Sequence, residues 1–281
     1  MEQSQHTHNN VGVELLRILA MMMIVGLHYM NFGGVLWSDA IWNRRLAWLL
    51  EAFCIVAVNC YVLISGYFLV TSKSFHWHKV AQLWANVVFY TMVVLLISAF
   101  YEGQDIQLKD VLHAILPVRY QTYWFVTAYA GMYLISPYLG RLARQLSKKE
   151  YQKLLALLMG MFSLYSFLQP EADPFFIRGG YTMWWFIVLY FLAGYVRLYG
   201  IKISQKQAIG LYVGMCLLTF LSKKPMYYIF QILGVPIKDI TGRHIIGFYN
   251  YNSPSVVIAS LALFIFCLNL KFESTVRVGL I

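Results

Sequence analysis

Charge is scarce in this chain. Lys and Arg number 22 and Asp and Glu 12 among 281 residues, so 12% of the chain is charged, against about 25% in soluble domains. Hydrophobic residues make up 60% and the mean hydropathy is +0.60. This balance excludes a soluble domain and predicts an all-α, polytopic bundle of transmembrane helices. Cysteine is scarce too. Cys54, Cys60, Cys216 and Cys267 all fall inside apolar runs without CxxC spacing, which leaves neither a disulfide framework nor a zinc site. The start, MEQSQHTHNN, lacks a basic n-region, and no small-residue cleavage site follows the first apolar run. That run is therefore expected to remain as a membrane helix. The net charge of +10 is not gathered into a stripe interleaved with aromatics, so nucleic acid is not an expected partner. A glycine-rich nucleotide loop and a nucleophile elbow are absent as well.

What is present is a series of apolar runs. A bilayer crossing takes roughly 20 mostly apolar residues. Eight runs qualify, over 11–31, 47–70, 80–100, 123–140, 154–169, 181–199, 207–222 and 254–270. The stretch 225–236 is apolar, short and bounded by prolines, and reads as an interfacial or re-entrant piece. A further run at 276–281 reads as the beginning of a ninth span that is cut short. With the N-terminus in the cytoplasm, 12 Lys and Arg fall in inner loops and 9 in outer ones, 4 of the latter in the long loop 223–253. Short loops weigh most in the positive-inside rule, so a cytoplasmic N-terminus is expected. The basic run 141–153 then reads as a cytosolic loop.

The first run, ELLRILAMMMIVGLHYM (14–30), carries a carboxylate, a guanidinium and an imidazole. Arg17 and His28 are eleven residues apart. On a helix that is about 20° beyond three full turns, so the two share a face, roughly 16 Å apart along the axis. Glu14 lies close to the same stripe and within pairing range of Arg17. Ionisable groups inside a span are costly and default to function. A cation at one end and an imidazole at the other suit a long anionic substrate, held by the cation and acted on by the base.

The spacing Arg17-x10-His28 resembles the first-helix motif of the integral membrane acyltransferase 3 family. NCYVLISGYFL (59–69), YWFVTAYAGMYLISPYL (123–139), WFIVLYFLAGYVRLY (185–199) and YNSPSVV (251–257) continue the resemblance in order. It implies one domain over 1–281 with about eight of the family's ten helices, the last helices missing. It also implies transfer of an acyl group, acetyl in most members, from cytoplasmic acyl-CoA (acetyl-CoA) to a hydroxyl of a cell-envelope polysaccharide or glycolipid. No metal is implied. The expected setting is a bacterial plasma membrane, with the lipid bilayer and a surface glycan or glycolipid as partners. By this resemblance His28 is catalytic and Arg17 lines the donor path. Where the family has an Arg-x-x-Arg pair handling coenzyme A, this chain has HWHK, which offers His76 and Lys79. Lysine binds phosphate as a point charge rather than as a bidentate fork. Glu14, Asn59, Ser65 and Tyr67 are expected to line the tunnel or to support it. Asn59 and Gly66, seven apart, share a face that also suits plain helix packing. Two rival classes are an exporter, with Glu14, Arg17 and His28 as a polar relay, and a non-catalytic ligand-binding membrane domain. An exporter needs further buried carboxylates, and Glu51 is the one candidate.

Overall fold

The computed structural model describes residues 10–72, 75–103, 105–116, 123–168, 173–232, 234 and 247–270. Among them the regular structure is helical throughout: α1 (Val11–Phe32), α2 (Ile41–Cys54), α3 (Ala57–Leu69), α4 (Trp77–Glu102), α5 (Leu108–Ile115), α6 (Trp124–Gln145), α7 (Lys148–Met159), α8 (Ser166–Leu168), α9 (Met183–Tyr199), α10 (Gln205–Ile232) and α11 (Pro254–Leu268). A π-helical turn, Gly160–Tyr165, joins α7 to α8. Local chemistry sets the ends. The Asn10 side chain accepts from the Val13 amide and caps α1. Ser147 and Glu150 form a capping box that starts α7, which splits the basic run 141–153 between the end of α6 and the beginning of α7. Pro254 occupies the first turn of α11, where its missing N–H costs nothing.

Cross-links place α3, α6, α9 and α11 side by side and running in one direction. At one end the Asn59 amide joins three elements: its Nδ2 donates to the Tyr251 carbonyl (2.8 Å) and its Oδ1 accepts from Trp185 Nε1 (3.1 Å). At the other end Arg144 donates to the carbonyl of Val70, and the Tyr199 hydroxyl donates to the carbonyl of Leu146 (2.9 Å). α1 runs the opposite way. Its capping Asn10 donates to the carbonyl of Leu268 at the end of α11 (3.1 Å). The core between these helices buries Trp185, Phe186, Tyr190, Tyr151 and Phe264 completely.

Small residues allow the close approach. A methyl group on Gly66 of α3 would stand 2.9 Å from the Tyr190 Cα and 3.1 Å from the Ala193 Cβ of α9. Backbone cannot yield there as a side-chain tip can. Gly66→Ala is expected to destabilise the protein by about 1–3 kcal/mol, the usual cost of overpacking a tight contact. A lowered melting temperature in detergent, relative to Gly210→Ala, is the measurement. Gly210 has open space at its Cβ position and serves as the control.

Among the described residues each of the eight expected runs overlaps helix, without eight separate spans being established. Four stretches among the described residues are long and apolar enough to cross a bilayer: Val11–Phe32, Ile41–Leu69, Trp77–Tyr101 and Lys148–Leu168. α9 and α11 are apolar but have 17 and 15 residues. Two expected boundaries differ. The second run is a broken pair, α2 and α3, and α2 begins at Ile41. Arg44 and Arg45 thus sit on helix rather than in a loop. Of the stretch 225–236, residues 225–232 continue α10 straight through Pro225. Hydroxyls one turn earlier bond helix carbonyls: Ser222 donates to Thr219 (2.7 Å) and Thr219 to Met215 (2.9 Å).

Candidate active site

α1 is continuous through both residues of its motif. Its buried stripe, Val13, Leu16, Ala20 and Leu27, faces the core. Arg17 and His28 lie roughly a quarter turn away from that stripe, on a flank that the protein leaves open. Glu14 Oε1 accepts from Arg17 Nη1 at 2.7 Å. This occupies one donor of a guanidinium that has five.

Beneath Arg17 stands α3. The Tyr61 hydroxyl donates to the carbonyl of Arg17 (2.8 Å). Ser65 follows one turn later on the same face and accepts from the Tyr129 hydroxyl of α6 (3.3 Å). The Tyr129 ring stacks along its helix on Tyr133, 15° from parallel. Behind these rings lies a cavity of about 250 Å³. Tyr129, Ala130 and Tyr133 line it from α6, and Lys79, Gln82, Leu83 and Asn86 from α4. Ligand clefts for drug-sized molecules span about 300–1,000 Å³. This one is smaller than that range.

His28 is held by one specific bond. Its Nδ1 lies 2.8 Å from the carbonyl of Ile24. A carbonyl only accepts, so in the neutral ring it is Nδ1 that carries the proton and Nε2 that has the lone pair. The ring stacks on Phe32, with centroids 5.7 Å apart. The imidazole is thereby oriented, with the basic nitrogen turned away from the helix backbone.

The remaining expected residues separate into those near this groove and those away from it. Lys79 lines the cavity. His76, its expected companion, sits at the N-cap of α4, with its ring 5.2 Å from that of His78, and is not part of the cavity wall. Ser65 lies between the Arg17 region and the cavity. Asn59 is fully buried and both ends of its amide are engaged in cross-links, so it is a structural support. Tyr67 accepts from Arg197 Nη1 (3.1 Å) under that guanidinium and ties α3 to α9. Four contributors were not anticipated: Tyr61, Tyr129, Gln82 and Asn86. The sequence did carry a signal for the last two. Lys79, Gln82 and Asn86 follow one another at helical spacing on an otherwise apolar helix.

Glu51 belongs elsewhere. It is 6% exposed, on a patch of α2 where Trp48, Ala47 and Ala52 pack on Leu27 and Met30 of α1. The ammonium of Lys223 of α10 lies over the Trp48 ring. A methyl group on Gly26, on the α1 edge next to this patch, would stand 4.0 Å from the Cys54 Sγ, and this edge lies about 160° from His28 around the helix. Among the described residues, no three His, Cys, Asp or Glu side chains are grouped as metal ligands.

No curated protein and no solved structure matches the chain. The family described as an acyltransferase domain matches residues 10–276, which takes in the Arg17–His28 helix, the cavity and the parallel core. An apolar helical bundle with an oriented imidazole and a guanidinium on one open flank, matched over nearly its full length, belongs to the acyltransferase 3 family and is a membrane acyltransferase.

Proposed function

We propose that the protein transfers an acetyl group from cytoplasmic acetyl-CoA to a hydroxyl of a cell-envelope polysaccharide or glycolipid, in a bacterial plasma membrane with its N-terminus in the cytoplasm. The observation that carries this reading is the Nδ1–H bond from His28 to Ile24, which leaves Nε2 free as a base on the same stripe as Arg17. His28 Nε2 takes the proton of the acceptor hydroxyl as its oxygen attacks the thioester carbon. The C–O bond forms, the C–S bond breaks, and the departing thiolate recovers the proton from the imidazolium. Arg17 and Lys79 meet anionic groups of the donor, and the polar wall of Gln82 and Asn86 passes its flexible arm. Export of a polysaccharide through a polar relay finds less support. Glu51, the buried carboxylate such a relay would use, lies with Lys223 on the side of α1 away from His28.

The donor path is tested at Arg17. Charge-assisted hydrogen bonds contribute about 1.5–3 kcal/mol, and every 1.4 kcal/mol is tenfold in affinity. Arg17→Ala is expected to weaken acetyl-CoA binding about 10–100-fold, and Arg17→Lys much less, because the charge is retained. Binding of a non-hydrolysable acetyl-CoA analogue to the purified protein in nanodiscs measures both. A melting curve checks that releasing Glu14 has not unfolded the alanine variant. Unchanged binding in a folded Arg17→Ala protein removes Arg17 from the donor path.

A further inference from the structure

α5 is eight residues long and sorts its side chains onto three arcs. At 100° per residue Leu108, Val111, Leu112 and Ile115 fall within about 100° of one another. Leu108 is 75% exposed, Leu112 39% and Ile115 37%. Lys109, Asp110 and His113 occupy the opposite arc. Between the two lies Ala114, the one buried residue of the helix. The Asp110 carboxylate accepts from the Gln107 amide (3.0 Å) and completes a capping box, so the start of the helix is fixed.

A leucine strip facing outward needs a cover, and the position of α5 selects one. α4 is long and apolar enough to cross the bilayer over Trp77–Tyr101 and ends at Gly103, whose φ of 64° stops the helix. Five residues, 103–107, separate it from α5. Extended chain spans at most about 3.5 Å per residue, so six steps from Glu102 to Leu108 start α5 within about 21 Å of the end of α4. The headgroup layer on each side of a bilayer is about 5–8 Å deep, and a connection this short lets α5 rest within it. Four apolar side chains are too few for a second copy, since a stable protein interface buries about 800 Å² on each partner. We propose that α5 lies flat on the bilayer surface. Its Leu108–Leu112–Ile115 arc is sunk at the boundary of headgroups and acyl chains, its charged arc faces water, and Ala114 lies against the protein. Helices this short are marginal alone in water, so the surface stabilises α5 as well as receiving it. α5 packs on α4, and the arrangement moors the end of the helix whose other half carries Lys79 and the cavity wall.

Spin labels on the intact protein in phosphatidylcholine–phosphatidylglycerol vesicles test this. Labels go singly on Leu108→Cys, Lys109→Cys, Leu112→Cys, His113→Cys and Ile115→Cys, with Cys54→Ser to silence the partly exposed native thiol. Labels at 108, 112 and 115 are expected to relax with molecular oxygen, which concentrates in acyl chains. Those at 109 and 113 should relax with a water-soluble nickel chelate, so that the ratio changes sign with helical period. Equal nickel access at all five positions places α5 in water and overturns the proposal. Shielding of 108, 112 and 115 from both agents places protein on the strip and overturns it as well.

Discussion

His28→Gln is expected to lower acyl transfer by about 10²–10⁴-fold, the range general-base catalysis supplies, equivalent to roughly 3–5 kcal/mol of barrier. Glutamine is near in size and retains an N–H that can reach the Ile24 carbonyl. Local packing and the bond that holds the native ring then have a substitute. What glutamine lacks is a nitrogen able to take a proton. A histidine serving only as a hydrogen-bond donor between helix turns would tolerate the change. The assay follows thiol release from acetyl-CoA in the presence of acceptor, with analogue binding measured on the same preparation. Lost transfer with retained binding assigns the imidazole to chemistry. Full transfer by His28→Gln overturns the base mechanism.

Asn59→Leu is expected to be the most destabilising single change in the core. Leucine is similar in volume, so the loss is polar. The Trp185 indole N–H and the Tyr251 carbonyl are both left without the partner they have now. An unsatisfied buried group costs about 1–3 kcal/mol, and two together about 2–6 kcal/mol. Asn59→Asp is expected to recover part of this, because a carboxylate oxygen still accepts from the indole. Thermal unfolding in detergent separates the three proteins. Equal melting temperatures for wild type and Asn59→Leu would show that the amide is dispensable.

Membrane character, the helical bundle and the main stripe were legible in the sequence because each depends on periodicity within one segment. Arg17 and His28 align through the geometry of one helix, and the Glu14–Arg17 pair follows from a spacing of three. What was not legible required distance across the bundle. Asn59 shares a face with Gly66, as its spacing indicated, but that face meets α9, and only the fold reveals Trp185 and Tyr251 at its ends. Tyr61 and Tyr129 are two among 21 tyrosines, and nothing local distinguishes them from aromatics at a bilayer interface. His76 and Lys79 are three apart, yet the N-cap geometry at His76 turns the backbone away from helix (φ −123°, ψ 100°). The pair rests on the resemblance to the family's Arg-x-x-Arg, and of the two only Lys79 lines the cavity.

The two walls of the cavity differ in how they are held. α6 is fastened to the parallel core through Ser136, whose carbonyl accepts from Tyr190 (3.2 Å), and through Arg144 at its far end. α4 has no buried residue in its spanning window. Displacing α6 would tear interior packing, whereas a lateral swing of α4 separates few protein atoms and mainly rearranges acyl chains. The cavity is therefore hinged on one side only, and its stiffness is a property of the surrounding lipid as much as of the polypeptide.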